Sequence, residues 1–200
     1  MTLPLFPDLT ATPGEDVAYT PPSRASAIVR SLLPDLGDNP LVCDPHAGGG
    51  SFLRAFRDAG LSYRARELDP AAVRLLHAQE LDCEEGDFLR MVRPLCDVSF
   101  IGNPPFSCAE SHLLFALSWR PRLIAWILPA GGLNRIERDP RAYTTPGYDC
   151  AVICPMEGRD AYGGPGRDAK GNAQTDNALF VWAREDALTP RFRPRRIPLK

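Results

Sequence analysis

Residues 41–60 read LVCDPHAGGGSFLRAFRDAG. A short, mostly apolar run breaks into a glycine loop, and an amphipathic segment closed by Gly60 follows. This is a strand handing over to a helix, and the next strand of such a chain lies parallel to the first, across the helix. The pattern recurs. YRARELD (63–69) reads as a strand, and PAAVRLLHAQEL (70–81) as a helix with Pro70 in its first turn. A short strand follows near LDCEEGD (81–87), then VSFIG (98–102), a helix over AESHLLFALSW (109–119), and a strong strand at LIAWILPA (123–130). Upstream, SRASAIVRSLLP (23–34) has helical apolar spacing, a capping candidate in Ser23 and a stop in Pro34. Strands alternating with helices give an α/β chain with a doubly wound, mostly parallel sheet and helices on both faces.

The last third changes character. YDCAVICPM (148–156) and NALFVWA (177–183) read as strands, and the Gly- and charge-rich stretch between them is a long loop. An antiparallel hairpin closing the sheet is the expected result. At 200 residues and 44% hydrophobic content the chain suits a single domain, 1–200. Its appendages are an extended arm over 1–18, the 155–177 loop and a basic, Pro-rich tail over 186–200. The start lacks a basic, apolar leader, and no apolar run is long enough to cross a bilayer, so a soluble cytoplasmic protein is expected.

Six cysteines occur, with no CxxC pair and no His at ligand spacing from them. They read as buried, reduced thiols, and the spacing of Cys150 and Cys154 suggests a shared strand face. His46, His77 and His112 read as isolated, so no metal is implied. Net charge is −2, which by itself points to no nucleic-acid partner. The final ten residues, RFRPRRIPLK, nevertheless carry four Arg and one Lys without an acid, which suits phosphate contact.

In doubly wound sheets ligands sit outside the carboxyl ends of the strands, so the strand ends carry the functional argument. The first ends in DPHAGGGSF (44–52). Gly48 and Gly50 let a backbone approach a ligand, but the third glycine of a dinucleotide fingerprint is replaced by Leu53. Asp44 would repel a pyrophosphate and suits a cationic ligand. The second strand ends in RELDP, with Glu67 placed 23 residues after Asp44, where an acid reaches ribose hydroxyls; Asp69 is its competitor. The third ends in GDF, where Asp87 can accept from an adenine amine and Phe88 can pack on the ring.

The fourth strand ends in NPPF. Prolines end the ladder and stiffen the turn. The Asn103 side-chain oxygen and the Pro104 carbonyl then form an acceptor pair for both hydrogens of a planar exocyclic amine. Pro105 fixes the turn, and Phe106 can stack on the base that carries the amine.

These residues resemble the class I S-adenosylmethionine-dependent methyltransferases, and within them the γ-type enzymes of DNA adenine found in phages and prophages. DPHAGGGSF matches the family's cofactor loop, NPPF its catalytic motif, and YTPP (19–22) the segment that closes over the methionine part. TDNALFVW (175–182) looks like the end of the small phage enzymes. The resemblance implies a Rossmann-like, seven-stranded sheet. It implies S-adenosyl-L-methionine held by Tyr19, Thr20, Pro21, Asp44, Pro45, His46, Ala47, Gly48, Gly50, Ser51, Phe52, Glu67, Leu68, Asp87, Phe88 and Asn103. It implies methyl transfer to the N6 amine of a flipped adenine in DNA, with Phe106 and Tyr162 holding the base.

Two features keep other substrates open. After the catalytic part only the 155–177 loop and the tail are left to read a target, where the γ-type enzymes carry a recognition domain, and the motif also serves methyltransferases of RNA bases and protein glutamine amides. A non-catalytic binding protein keeping the cofactor fold is a further alternative, against which Asp44, Glu67 and Asn103 argue. A nicotinamide-dependent oxidoreductase is disfavoured by the absent third glycine.

Overall fold

The computed structural model describes residues 19–129, 147–155 and 177–187. The arm over 1–18, residues 156–176 with Tyr162, and the basic tail from 188 lie outside them. The sheet is built from β1 (Leu41–Asp44), β2 (Ser62–Glu67), β3 (Glu84–Glu85), β4 (Val98–Gly102), β5 (Leu123–Pro129), β6 (Tyr148–Pro155) and β7 (Asn177–Arg184). Their order is β3-β2-β1-β4-β5-β7-β6. The strands from β3 to β5 run parallel, and β7 lies antiparallel between β5 and β6. The expected seven strands are therefore six full strands and a two-residue stub, β3, at one edge. The closing antiparallel pair is present.

The helices are α1 (Pro22–Leu32), α2 (Ser51–Asp58), α3 (Pro70–His77) and α4 (Ala109–Ser118). On one face α1 and α2 cover Val42, Ile101, Leu123, Ala125 and Ile127. On the other, Leu113, Ala116 and Leu117 of α4 pack with Phe100, Ile124, Trp126 and Leu128. Successive residues of β5 thus enter opposite cores, which explains why a strand with helices on both sides reads as an unbroken apolar run. A third cluster seats Val73 and Leu76 of α3 against Leu53 and Ala65.

Two local expectations are corrected. Ser23 does not cap α1: the helix starts one residue earlier with Pro22 at its first position, Pro21 precedes it, and no side chain caps it. Proline replaces the cap because its missing N–H is one the helix start would leave unpaired. Cys96 is exposed, whereas Cys43 and Cys83 are buried; these three and Cys108 are free thiols. The β6–β7 register slips between Cys150 and Ile153, and the side chains of Cys150 and Cys154 lie outside those described.

Candidate cofactor and acceptor site

From β1 the chain moves outward to β2 and β3, then returns to place β4 on the other side of β1. The strand order reverses there, and a crevice opens above the carboxyl ends of β1 and β4. Asp44 ends β1, Glu67 ends β2, and Asn103 directly follows β4. A cavity of about 380 Å³ lies at this end of the sheet. That size suits a nucleoside-sized ligand.

Glu67 organises the glycine loop. Its Oε2 accepts the Gly48 N–H at 2.7 Å and its Oε1 accepts the Asp69 N–H at 2.9 Å. Gly48 has φ +49°, a backbone that a side chain would strain. Asp69, the competitor for Glu67, is otherwise engaged: it caps α3 by accepting the Ala71 N–H at 2.8 Å. Asp87 opens a short 3₁₀ turn by accepting the Leu89 N–H at 2.9 Å, and Phe88 behind it is buried.

Asp44 sits deeper. It is 1% exposed and does not line the cavity; its Oδ1 accepts the His46 N–H at 3.1 Å. Burial pushes its carboxyl up to about 7, against the pull of that hydrogen bond, and repulsion from Glu67 adds to the rise. Gly102 makes this placement possible. A Cβ there would meet Asp44 Oδ1 at 2.6 Å. The end of β4 is therefore glycine so that the β1 carboxyl can lie against it.

The cavity brings together much of the expected constellation. Tyr19, Pro45, His46 and Gly48 line it from the arm side and the glycine loop, and Glu67, Leu68, Asp87 and Phe88 from β2 and β3. Asn103, Pro104 and Pro105 complete the wall after β4. Thr20, Pro21, Ala47, Gly50, Ser51 and Phe52 do not reach it. Pro21 instead accepts the Ala25 N–H at the start of α1, and Phe52 is buried in the core under α1. Phe106 departs furthest from expectation. The 3₁₀ turn Phe106–Cys108 carries its ring into the core beside α4, leaving it 8% exposed and off the cavity wall.

The wall also holds Gly86, Leu89, Cys108 and His112, which sequence reasoning missed. His46 and His112 are not isolated. Nε2 of His46 lies 2.7 Å from Nδ1 of His112, across 66 positions of sequence. Cys108, one turn before His112, places Sγ 3.6 Å from the same Nδ1 and donates to the Pro105 carbonyl at 3.5 Å. The Cys108–His112 spacing directly after the prolines was the one available signal, since residues four apart share a helix face. Burial holds both imidazoles below the ordinary histidine range. No cluster of three or more His, Cys, Asp or Glu side chains suited to a metal occurs among the described residues. No described helix is long and apolar enough to cross a membrane.

No family model and no curated protein sequence matches the chain. Solved structures do. The 23S rRNA methyltransferase ErmE superposes with TM-score 0.62 at 14% identity, over 84% of this chain and 70% of that one. A dimethyladenosine transferase from Plasmodium falciparum gives 0.62 at 14%, over 86% of this chain and 64% of that one. Magnesium protoporphyrin IX methyltransferase from Synechocystis PCC 6803, with bound SAM, gives 0.55 at 16%, over 82% and 79%. At such identities the likeness concerns architecture, and the chain has the Rossmann-like methyltransferase fold.

Proposed function

We propose that the chain is an S-adenosylmethionine-dependent methyltransferase acting on the exocyclic N6 amine of adenine in DNA, with the base flipped out of the stack. The observation that carries this reading is one cavity wall shared by Asn103-Pro104-Pro105 after β4, Glu67 after β2 and Asp87 after β3. The residues present fit the cofactor. The volume accommodates a nucleoside, Gly48 keeps its loop free of side chains, and Glu67 has acceptor capacity to spare. An ionised carboxylate offers about four lone-pair sites; two are occupied by the Gly48 and Asp69 amides, which leaves one on each oxygen for ribose hydroxyls.

When bound, S-adenosylmethionine supplies an electrophilic methyl on a sulfonium. Glu67 holds the sugar, and Asp87 and Phe88 face the purine. The Asn103 oxygen and the Pro104 carbonyl accept the two amine hydrogens. That grip draws the nitrogen lone pair out of conjugation and aims it, so catalysis is positioning and preorganisation. No strong base is required, because the attacked nitrogen becomes cationic and sheds a proton readily. Asp44 lies against Gly102 at the β1–β4 junction, and a cationic ligand above it would favour its ionised form.

A second reading, adenine in RNA, is supported by two structural neighbours described as a 23S rRNA methyltransferase and a dimethyladenosine transferase. One experiment separates them. The protein is incubated with cofactor carrying a tritiated methyl and with duplex DNA, single-stranded DNA, tRNA or a protein extract. Label in DNA adenine supports the first reading and label in RNA the second. Label only in protein replaces both with a glutamine-amide substrate. No label anywhere, together with no binding of S-adenosylhomocysteine, removes the enzyme reading.

A further inference from the structure

The His46–His112 contact has a particular shape. The ring centroids are 4.8 Å apart and the planes differ by 10°. A 2.7 Å bond between ring nitrogens at that centroid separation requires the imidazoles to lie edge to edge in nearly one plane, since ring nitrogens project about 1.1 Å from each centroid. The two rings form a flat plate. Phe88 stands perpendicular to both, at 5.4 Å from His46 and 5.5 Å from His112. All three residues line the cavity.

The proton positions on the plate follow from burial. Nδ1 of His46 is buried with no hydrogen-bond partner among the described residues. A buried N–H without a partner is the rarer and costlier orphan. The proton of His46 therefore sits on Nε2 and is donated to Nδ1 of His112. A neutral imidazole carries one proton, so that of His112 sits on Nε2. His112 is half-buried and lines the cavity. Burial of both rings favours their neutral form.

We infer that the His46–His112 plate reads a purine, with Nε2–H of His112 donating to a ring nitrogen of the adenine seated beside Phe88. The inference rests on the methyltransferase reading and adds a residue to the cofactor's recognition. An adenine offers an amine flanked by ring acceptors at N1 and N7. Asp87 supplies the acceptor for the amine, and His112 the complementary donor. His46 is a positioning residue that fixes the tautomer of His112. A guanine base, with a carbonyl at the amine position, would set its oxygen against the Asp87 carboxylate.

Calorimetry with S-adenosylhomocysteine and its 1-deaza and 7-deaza analogues tests this without turnover. Wild-type protein should lose about five- to tenfold in affinity for one analogue, the usual worth of one neutral hydrogen bond. His112→Phe, which keeps a flat ring and removes the donor, should lose as much for the parent ligand and nothing more for that analogue. His112→Gln, which restores a donor, should recover part of the loss. Equal binding of all three ligands to wild-type protein overturns the inference with no variant needed. So does an analogue penalty that persists unchanged in His112→Phe. Failure of wild-type protein to bind S-adenosylhomocysteine at all is a different result and overturns the methyltransferase reading itself.

Discussion

The two ends of the parallel strands treat charge in opposite ways. At the amino ends, charges are matched with one another. Arg184 donates to both carboxylate oxygens of Asp97, at 3.1 and 3.0 Å, and to Asp186 and the Arg120 carbonyl. Arg122 donates to the Asp35 carbonyl at 3.0 Å. The hydrogen bonds from Arg184 hold the Asp97 carboxyl below its usual range. At the carboxyl ends, Asp44, Glu67 and Asp87 accept from backbone N–H groups of His46, Gly48, Asp69 and Leu89. Arg184 and Asp97 neutralise each other, while Asp44, Glu67 and Asp87 are oriented by backbone N–H groups.

The largest effect should come from the acceptor pair. Asn103→Ala should lower kcat by about 10²–10³, the cost of removing one preorganised group at a reacting centre, a far larger factor than its loss of affinity for S-adenosylhomocysteine by calorimetry. A variant with the wild-type rate would show that the carboxyl end only binds.

Asp44 sharpens the contrast through pH. Its carboxyl is raised to about 7 in the folded chain and is near 3.8 when exposed, so between these values the folded chain holds a proton that the unfolded chain has lost. This contribution is full below about pH 4 and is lost as pH rises through about 7, with about 4 kcal/mol as its ceiling. His46 and His112, both lowered, act in the opposite sense on the acid side. The difference between wild type and Asp44→Asn in urea therefore isolates the carboxyl. Wild type should fall behind the variant from pH 5 to pH 8, and a constant difference would mean that Asp44 is ionised and stabilised there.

Gly102→Ala should cost about 1–3 kcal/mol, the usual penalty for an added carbon in a packed site, because its Cβ meets Asp44 Oδ1 at 2.6 Å. Denaturant unfolding measures the loss, and a neutral result would show that the β1–β4 junction yields easily. The smallest effect belongs to the other end. Asp97→Ala should cost under about 1 kcal/mol, since the Asp97 side chain is 60% exposed and such pairs are screened. Its affinity for S-adenosylhomocysteine should not change. A change would breach the division of labour between the two ends.

Much of this division was readable in the chain. LVCD, VSFIG and LIAWILPA announce buried strands because both faces of the sheet are covered. Asp44, Glu67, Asp87 and Asn103 were placed by the rule that ligands lie at strand ends, which needs only the strands. What was not readable depends on docking. The His46–His112 bond joins a loop to a helix 66 positions away, and nothing local encodes it. Phe106 follows its prolines into a 3₁₀ turn and its ring packs in the core, which the sequence of the turn does not encode. The depth of Asp44 depends on Gly102, whose missing side chain looks in sequence like any strand-end glycine.

The stub β3 has a consequence for how molecules of this protein meet one another. It closes one edge of the sheet with two residues, Glu84 and Glu85, both exposed. Arg64 and Arg66 of the neighbouring strand donate to the Glu84 carboxylate at 2.9 and 2.6 Å. A second chain arriving to extend the sheet would find a template too short for more than a couple of ladder bonds, flanked by fixed charges of both signs. Short, charged edges are how sheet proteins avoid templated aggregation. Along this border the sheet resists propagation from one molecule to the next, even at the high local concentrations of a crowded cell.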